Sequence, residues 1–408
     1  MHDFLPGIFP APIRDVSFST PLPQAVLDIG DKTRTSIFAW RGQFSPQLVE
    51  SLLLAYCPQG AHVLDPFSGS GTSLLEAARL GLRVSAFEIN PAAWRLTRVC
   101  TLCNLPVAER EAAVAAVTDR VAKLWKSEAT GGIERGLKSL AEMEGPVGIV
   151  AGALVIVMDL FQNKLTREHC EKTLRKVAQS VRQLPTSAAP TMAIRGDARA
   201  LPLEDASVDF VLTSPPYINV FNYHQHYRRS AELLGHDLLL TARSEIGSNR
   251  ANRGNRFLTV IQYCLDMAAT LRELRRVCKP DARLIFVVGH ESNVLGVPFL
   301  NADLIGQIAE QTEAFRIVLR QPRWYTNKFG IRIREDLLHF QPYKGTGRGW
   351  ERVARAAAET ALSADLHIVS KKNRAALEDA ISRVVTTPGI PILRTDEQAD
   401  PTSDTAPR

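Results

Sequence analysis

The sequence predicts an α/β fold built on a doubly wound, mostly parallel sheet with a helical insertion, and three observations carry that prediction. Residues 62–65, His-Val-Leu-Asp, form a short apolar strand pattern that ends in an acid, passes through a Gly/Ser turn and enters a helix pattern over 72–80. A second strand pattern follows at 83–87, ending on Glu88, with a helix pattern over 92–103. This β-loop-α-β rhythm sets strands parallel and side by side. Strand patterns then resume at 192–194, 208–212 and 284–288, after a long helical stretch.

The remaining elements fall around that frame. Leu48, Leu52 and Tyr56 share one face of a helix over 46–56. Between 107 and 184, Val114, Val117, Val121 and Leu124 repeat at helical spacing, as do Leu174, Val177, Val181 and Leu184. That block reads as an insertion, closed by the linker 185–190. A helix is expected over 263–277, strands over 315–319 and 334–340, and a helix over 351–362. The expected partition is a loose segment 1–36, a first sheet part 37–106, the insertion 107–190, a second sheet part 191–345, a helical segment 346–385 and a disordered tail 386–408.

Composition narrows the class. The chain has 408 residues, 45% hydrophobic and 23% charged, which is enough to bury a full core. A formal charge of +6 tolerates a polyanionic partner without demanding one. Residues 1–30 lack a basic start followed by an apolar block, so no secretory signal is expected. The longest uncharged run, 145–158, falls short of the roughly 20 residues of a membrane span and reads as a buried helix. The six cysteines are scattered, as suits a reducing cytoplasm. Cys100 and Cys103 form a C-x-x-C pair with no second pair at zinc spacing, so half-buried helical thiols and no metal site are expected.

The chemistry concentrates at strand ends. In Asp65-Pro66-Phe67-Ser-Gly69-Ser-Gly71-Thr72 a strand stops, two glycines turn the backbone, and a helix begins at once. Such a turn presents helix N-terminal amides to a ligand. Neither G-x-G-x-x-G nor G-K-[ST] is present, which excludes the usual dinucleotide and triphosphate loops. Glu88 ends the second strand, where an acid can accept from both ribose hydroxyls. Ile89 and Asn90 follow it, and Asp197-Ala198 lies past the third strand, placed to accept from an adenine amine. Three acids at successive strand ends outline a pocket for an adenosine-bearing cofactor.

Directly after the strand at 208–212 comes Ser214-Pro215-Pro216-Tyr217. Two prolines fix the backbone and remove two amide donors, leaving hydroxyl and carbonyl acceptors. An exocyclic amine needs such acceptors, because hydrogen bonds from its N–H groups help to free its delocalised lone pair. Tyr217 offers a flat face for an extruded base.

These segments resemble motifs I, II and IV of the site-specific DNA amino-methyltransferases, of the Ser-Pro-Pro-Tyr type, and Phe44-Ser-Pro resembles their motif X. The resemblance implies a class I methyltransferase sheet of seven strands with an antiparallel hairpin at one edge, and S-adenosylmethionine as cofactor. It implies that Asp65 and Gly69 touch the methionine end, Glu88 the ribose and Asp197 the adenine. Ser214 at the first motif IV position implies cytosine N4 as the target, with adenine N6 in DNA and guanine N2 in RNA as alternatives. No Cys follows a Pro, so the covalent route of the cytosine-C5 enzymes is not expected. DNA, a companion restriction endonuclease and a place at the nucleoid are implied partners and location.

Residues 219–256 are basic, with His224, His226, Arg243 and Arg256 among them. Asn222, Tyr223, Arg228, Arg229, Arg250 and Arg253 are the candidate DNA contacts there. A second basic, aromatic cluster runs from Arg323-Trp-Tyr to Arg332 and Arg334.

Overall fold

The computed structural model describes residues 19–40, 42–127, 130–218, 225–248, 252, 254–327, 329–364 and 366–393. Asn222, Tyr223, His224, Arg250 and Arg253 lie outside the described residues.

Seven strands form the central sheet. They are β1 (His62–Asp65), β2 (Arg83–Glu88), β3 (Thr191–Arg195), β4 (Val208–Thr213), β5 (Cys278–Gly289), β8 (Phe315–Thr326) and β9 (Arg332–Pro342). A separate hairpin of β6 (Glu291–Val294) and β7 (Val297–Leu300) stands apart from them. The sheet order is β3-β2-β1-β4-β5-β9-β8; the first five strands run parallel, and β9 is antiparallel to both neighbours. This is the seven-stranded, class I methyltransferase-like sheet that the motifs implied. All four residues of β1 are buried, as a central parallel strand with helices on both faces requires.

The winding reverses between β1 and β4. β1 leads through α3 (Thr72–Arg79) and β2 through α4 (Pro91–Thr101) towards one edge, while β4 and β5 are joined through α11 (Leu258–Val277) on the other side. Val63 pairs with Phe210 and Leu64 with Val211, so the two strands release their loops side by side. A crevice at the carboxyl edge follows from that reversal.

The cores on the two faces of the sheet have different origins. One contains α2 (Pro46–Tyr56) and four helices of residues 107–182: α5 (Val107–Ser127), α6 (Thr130–Ala141), α7 (Gly145–Val157) and α8 (Arg167–Arg182). α7 is apolar all round because its neighbours cover it, and Val150 to Ile156 are buried. The other core holds α11, α12 (Asn301–Gln311), α13 (Trp350–Ala364) and α14 (Lys371–Ser382).

Three expectations need correction. The segment before residue 37 is not loose throughout, since α1 (Gln24–Asp28) buries Leu27, and Leu22 exchanges backbone hydrogen bonds with the Gln321 amide at 3.1 and 2.9 Å. Residues 386–393 are not a free tail: Thr387 and Leu393 are buried. Cys100 and Cys103 are fully buried rather than half-buried, and burial pushes Cys103 up to about 11. The hairpin β6–β7 and α12 had no counterpart in the sequence patterns, whereas α14 falls in the expected helical segment 346–385. Among the described residues, no helix is long and apolar enough to cross a membrane.

Candidate active site

The glycine turn closes around Asp65. Its carboxylate accepts the Ser73 hydroxyl, the Phe67 amide at 3.0 Å and, from the neighbouring strand, the Thr213 hydroxyl at 2.6 Å. Asp65 thus ties the loop after β1 to the loop after β4. Burial pushes its carboxyl up to about 6, against the pull of those hydrogen bonds. Gly69 has φ +55°, and a Cβ there would come within 3.0 Å of the Trp40 ring, so the backbone passes close beneath the indole. Gly71 serves packing instead: a Cβ would lie 3.0 Å from Cys100 Sγ and 3.2 Å from the Thr97 Cα, where α3 crosses α4.

Glu88 spans the same turn. One carboxylate oxygen accepts the Gly69 amide and the other the Asn90 amide, both at 2.8 Å. Each oxygen keeps a lone pair for a further donor. Burial drives this carboxyl up to about 8, more than the two amides lower it. Asn90 caps α4 through its oxygen, which accepts from Ala92 and Ala93. Its buried Nδ2, like the buried Ser68 hydroxyl, has no hydrogen-bond partner among the described residues.

These residues line one cavity of about 860 Å³ that includes its open mouth. Phe44, Asp65, Pro66, Phe67, Gly69, Thr72, Glu88, Ile89, Asn90, Asp197 and Ala198 all border it, and Gly71 does not. Ser214 and Pro216 of the double-proline turn border it too, whereas Pro215 and Tyr217 stand behind them. Gly69 and Ser214 therefore face one space. The Tyr217 ring lies on Gly289, where a Cβ would approach within 2.6 Å, and its hydroxyl sits 3.4 Å from Ser214 Oγ. Asn301, opening α12, fixes the turn by accepting the Ile218 amide at 3.3 Å and donating to the Gly289 carbonyl at 3.0 Å.

Asp197 differs from the expected adenine acceptor. Oδ1 accepts the Arg199 amide at 3.0 Å and Nε at 2.9 Å, while Oδ2 accepts Arg199 Nη2 at 2.6 Å and the Leu393 amide at 3.1 Å. All four of its acceptor positions are filled from within the chain. Arg199 also donates to Asp266, to the Ser244 carbonyl and to the carbonyls of Ile390 and Pro391. Asp197 is the core of a buried clamp.

Several wall residues carried no sequence signal. Trp40 and Gln43 approach from the segment before α2, and Gln43 donates to Ser70 Oγ at 2.6 Å. Ser244 approaches from the end of α10 (Leu238–Ser244), and Glu245 and Ile246 from the loop after it. Only a folded chain brings these short segments together. Arg228 and Arg229 sit on α9 (Arg228–Leu233), where they pair with Glu232 at 2.7 Å and Glu134 at 3.9 Å on the side of the helical block. Neither lines the cavity.

Comparison with known proteins agrees with the motif reading. Residues 24–98 match the family of DNA methylases whose description covers N6 and N4 methylases. A 67-residue segment is 36% identical to the Type II methyltransferase M.MjaII of Methanocaldococcus jannaschii, covering 15% of this chain and 13% of that relative. Among solved structures, TrmN from Thermus thermophilus is 19% identical with a TM-score of 0.31, over 74% of this chain and half of its own length. A SAM-dependent methyltransferase from Methanosarcina mazei is 13% identical with a TM-score of 0.35, over 72% and 97% of the two chains. The fold is defined by its own strand order.

Proposed function

We propose that this chain, whose residues 24–98 match a DNA methylase family, methylates an exocyclic base amine in DNA, with cytosine N4 as the target ahead of adenine N6. One observation carries the reading: the glycine turn and the Ser-Pro-Pro-Tyr turn leave adjacent strands and border the same cavity. The residues present fit S-adenosylmethionine. Glu88 keeps two open acceptor positions for a pair of hydroxyls, and Ser68 Oγ and Asn90 Nδ2 are buried polar atoms without a partner among the described residues. Phe67, Ile89 and Ala198 add apolar wall. Asp65 acts by locking the two loops together, and Asp197 by holding the wall rather than by binding adenine.

When bound, S-adenosylmethionine supplies an electrophilic methyl group. Ser214 Oγ and the carbonyls of its turn accept from the amine, which orients the lone pair and keeps the nitrogen nucleophilic. Pro215 and Pro216 deny the amine competing donors and hold the acceptors still, so the contribution is one of position. Tyr217, expected to face the extruded base, stands behind the wall instead and steadies Ser214 through its hydroxyl. Ser214, in place of an acid or amide, favours cytosine by family likeness.

Nucleoside mass spectrometry on DNA and RNA from cells producing the protein tests the proposal. N4-methylcytosine in DNA is the expected product. N6-methyladenine in DNA would overturn the base assignment alone, and methylguanosine confined to RNA would overturn the DNA assignment.

A further inference from the structure

Behind the double-proline turn lies a carboxylate that no motif marks. Glu335 stands on β9, paired across to Gly289 at the tip of β5 and to Arg323 on β8. Its side chain is only 12% exposed. Oε2 accepts Arg323 Nη1 at 2.7 Å, and Arg323 Nε donates to the Leu27 carbonyl of α1 at 3.1 Å, so the guanidinium is held from two sides. Oε1 faces the other way and accepts the Tyr217 hydroxyl at 3.5 Å; that hydroxyl is in turn 3.4 Å from Ser214 Oγ at the cavity wall. Both links are at the long end of hydrogen bonding, as catalytic contacts often are before substrate tightens them.

The surroundings suit a group that changes its proton. Burial raises the Glu335 carboxyl, while Arg323 and the Tyr217 hydroxyl pull it back. Tyr325, under the Arg323 guanidinium at 5.1 Å, is the other titratable group facing it from β8. Gly289, on β5, leaves room for the Tyr217 ring and brings no charge.

We propose that Glu335 is a positioning residue that holds the Tyr217 hydroxyl and receives, through Tyr217 and Ser214, the proton given up by the methylated amine. The inference rests on the methyltransferase reading above. As the N–C bond forms and the donor's S–C bond breaks to leave a neutral thioether, one N–H bond breaks and that proton passes to Ser214 Oγ. The Ser214 proton passes to the Tyr217 oxygen, and the Tyr217 proton to Glu335 Oε1. Both hydroxyls end as they began, the methylated amine ends neutral, and the carboxylate becomes a neutral carboxyl.

The test is single-turnover methyl transfer from labelled S-adenosylmethionine to unmethylated genomic DNA across pH, for the wild type, E335Q, Y217F and the double variant. Cofactor affinity by calorimetry and thermal melting accompany it. E335Q is expected to lose rate on the order of 10²-fold, to lose the acid limb of the pH profile and to keep cofactor affinity. Y217F should fall comparably, and the double variant should be no worse than either, because the groups act as one chain. A wild-type rate and acid limb in E335Q, or losses that multiply, would overturn the relay. Should E335Q fail to fold, E335D must show an intermediate rate with a displaced acid limb; an unchanged profile defeats the idea. A readout apart from activity is the protonated-carboxyl stretch in the infrared difference between wild type and E335Q, in cofactor-free protein. It should titrate with pH and shift in Y217F, and a band indifferent to Y217F counts against the contact. If the wild type methylates no DNA, the functional reading fails by itself, while the infrared result still reports on the contact.

Discussion

At the scale of single residues, the site separates side chains that would touch substrate from those that hold the site together. Ser214→Ala and Tyr217→Ala are expected to lower methyl transfer on the order of 10²-fold with cofactor affinity intact. Full activity in both, measured by label incorporation into DNA, would remove the turn from the chemistry. Gly69→Ala places a Cβ against Trp40 at a left-handed φ, so calorimetry should show weaker cofactor binding in a protein that still folds. Glu88 gives a pH prediction. Its folded value of about 8 lies above its ordinary 4.5, so its share of the stability of the unliganded protein is full below 4.5 and is lost as pH rises through about 8. Ribose hydroxyls favour the ionised form, so cofactor affinity should climb with pH towards 8 and level off above it. Binding should release a proton between those values, visible as a buffer-dependent heat in calorimetry. A flat affinity from pH 5 to 8 would show that Glu88 does not accept from the ligand.

Among elements, the parallel strands and their loops were legible because each is a local event. The His-Val-Leu-Asp strand ends where its acid begins, and Thr72 and Asn90-Pro91 mark helix starts within a few residues of where they occur. The hairpin β6–β7 and α12 escaped notice because Ser292, Asn293 and Asn301 look like loop residues. In the fold, Ser292 and Asn301 are buried and hydrogen-bonded to each other. Asp197 stands at a strand end like the other two acids, but Arg199, two residues on, fills three of its acceptor positions and Leu393 the fourth. Wall residues such as Trp40 and Ile246 likewise acquire their place from packing alone. The insertion gives a prediction at this scale. Leu154 on α7 is fully buried away from the cavity, so Leu154→Ala should cost about 2–5 kcal/mol by chemical denaturation and leave cofactor affinity unchanged. A large loss of affinity would show that the helical block acts on the site.

Across the whole molecule, the Arg199 clamp joins the third strand end, the loop at Ser244, α11 through Asp266 and the last described residues. Arg199→Ala would leave Asp197 and Asp266 buried without their counter-ion, at a cost of about 3–5 kcal/mol. A stability loss below about 1 kcal/mol in denaturant titration would mean that the clamp behaves like a surface pair. The first described residues are fastened as well, because Leu22 is bonded to Gln321, 299 positions away, and Arg323 reaches back to Leu27.

The Leu393-to-Asp197 bond closes over 196 positions. During synthesis, a ribosome will have extruded the glycine turn, the helical block and most of the sheet long before residue 393 emerges. Until then, Arg199 and two acids share a cage with one wall missing. The nascent protein should therefore mature in two stages, with protease resistance of the sheet preceding closure of the crevice, and contacts of such long sequence separation set the pace of the second stage.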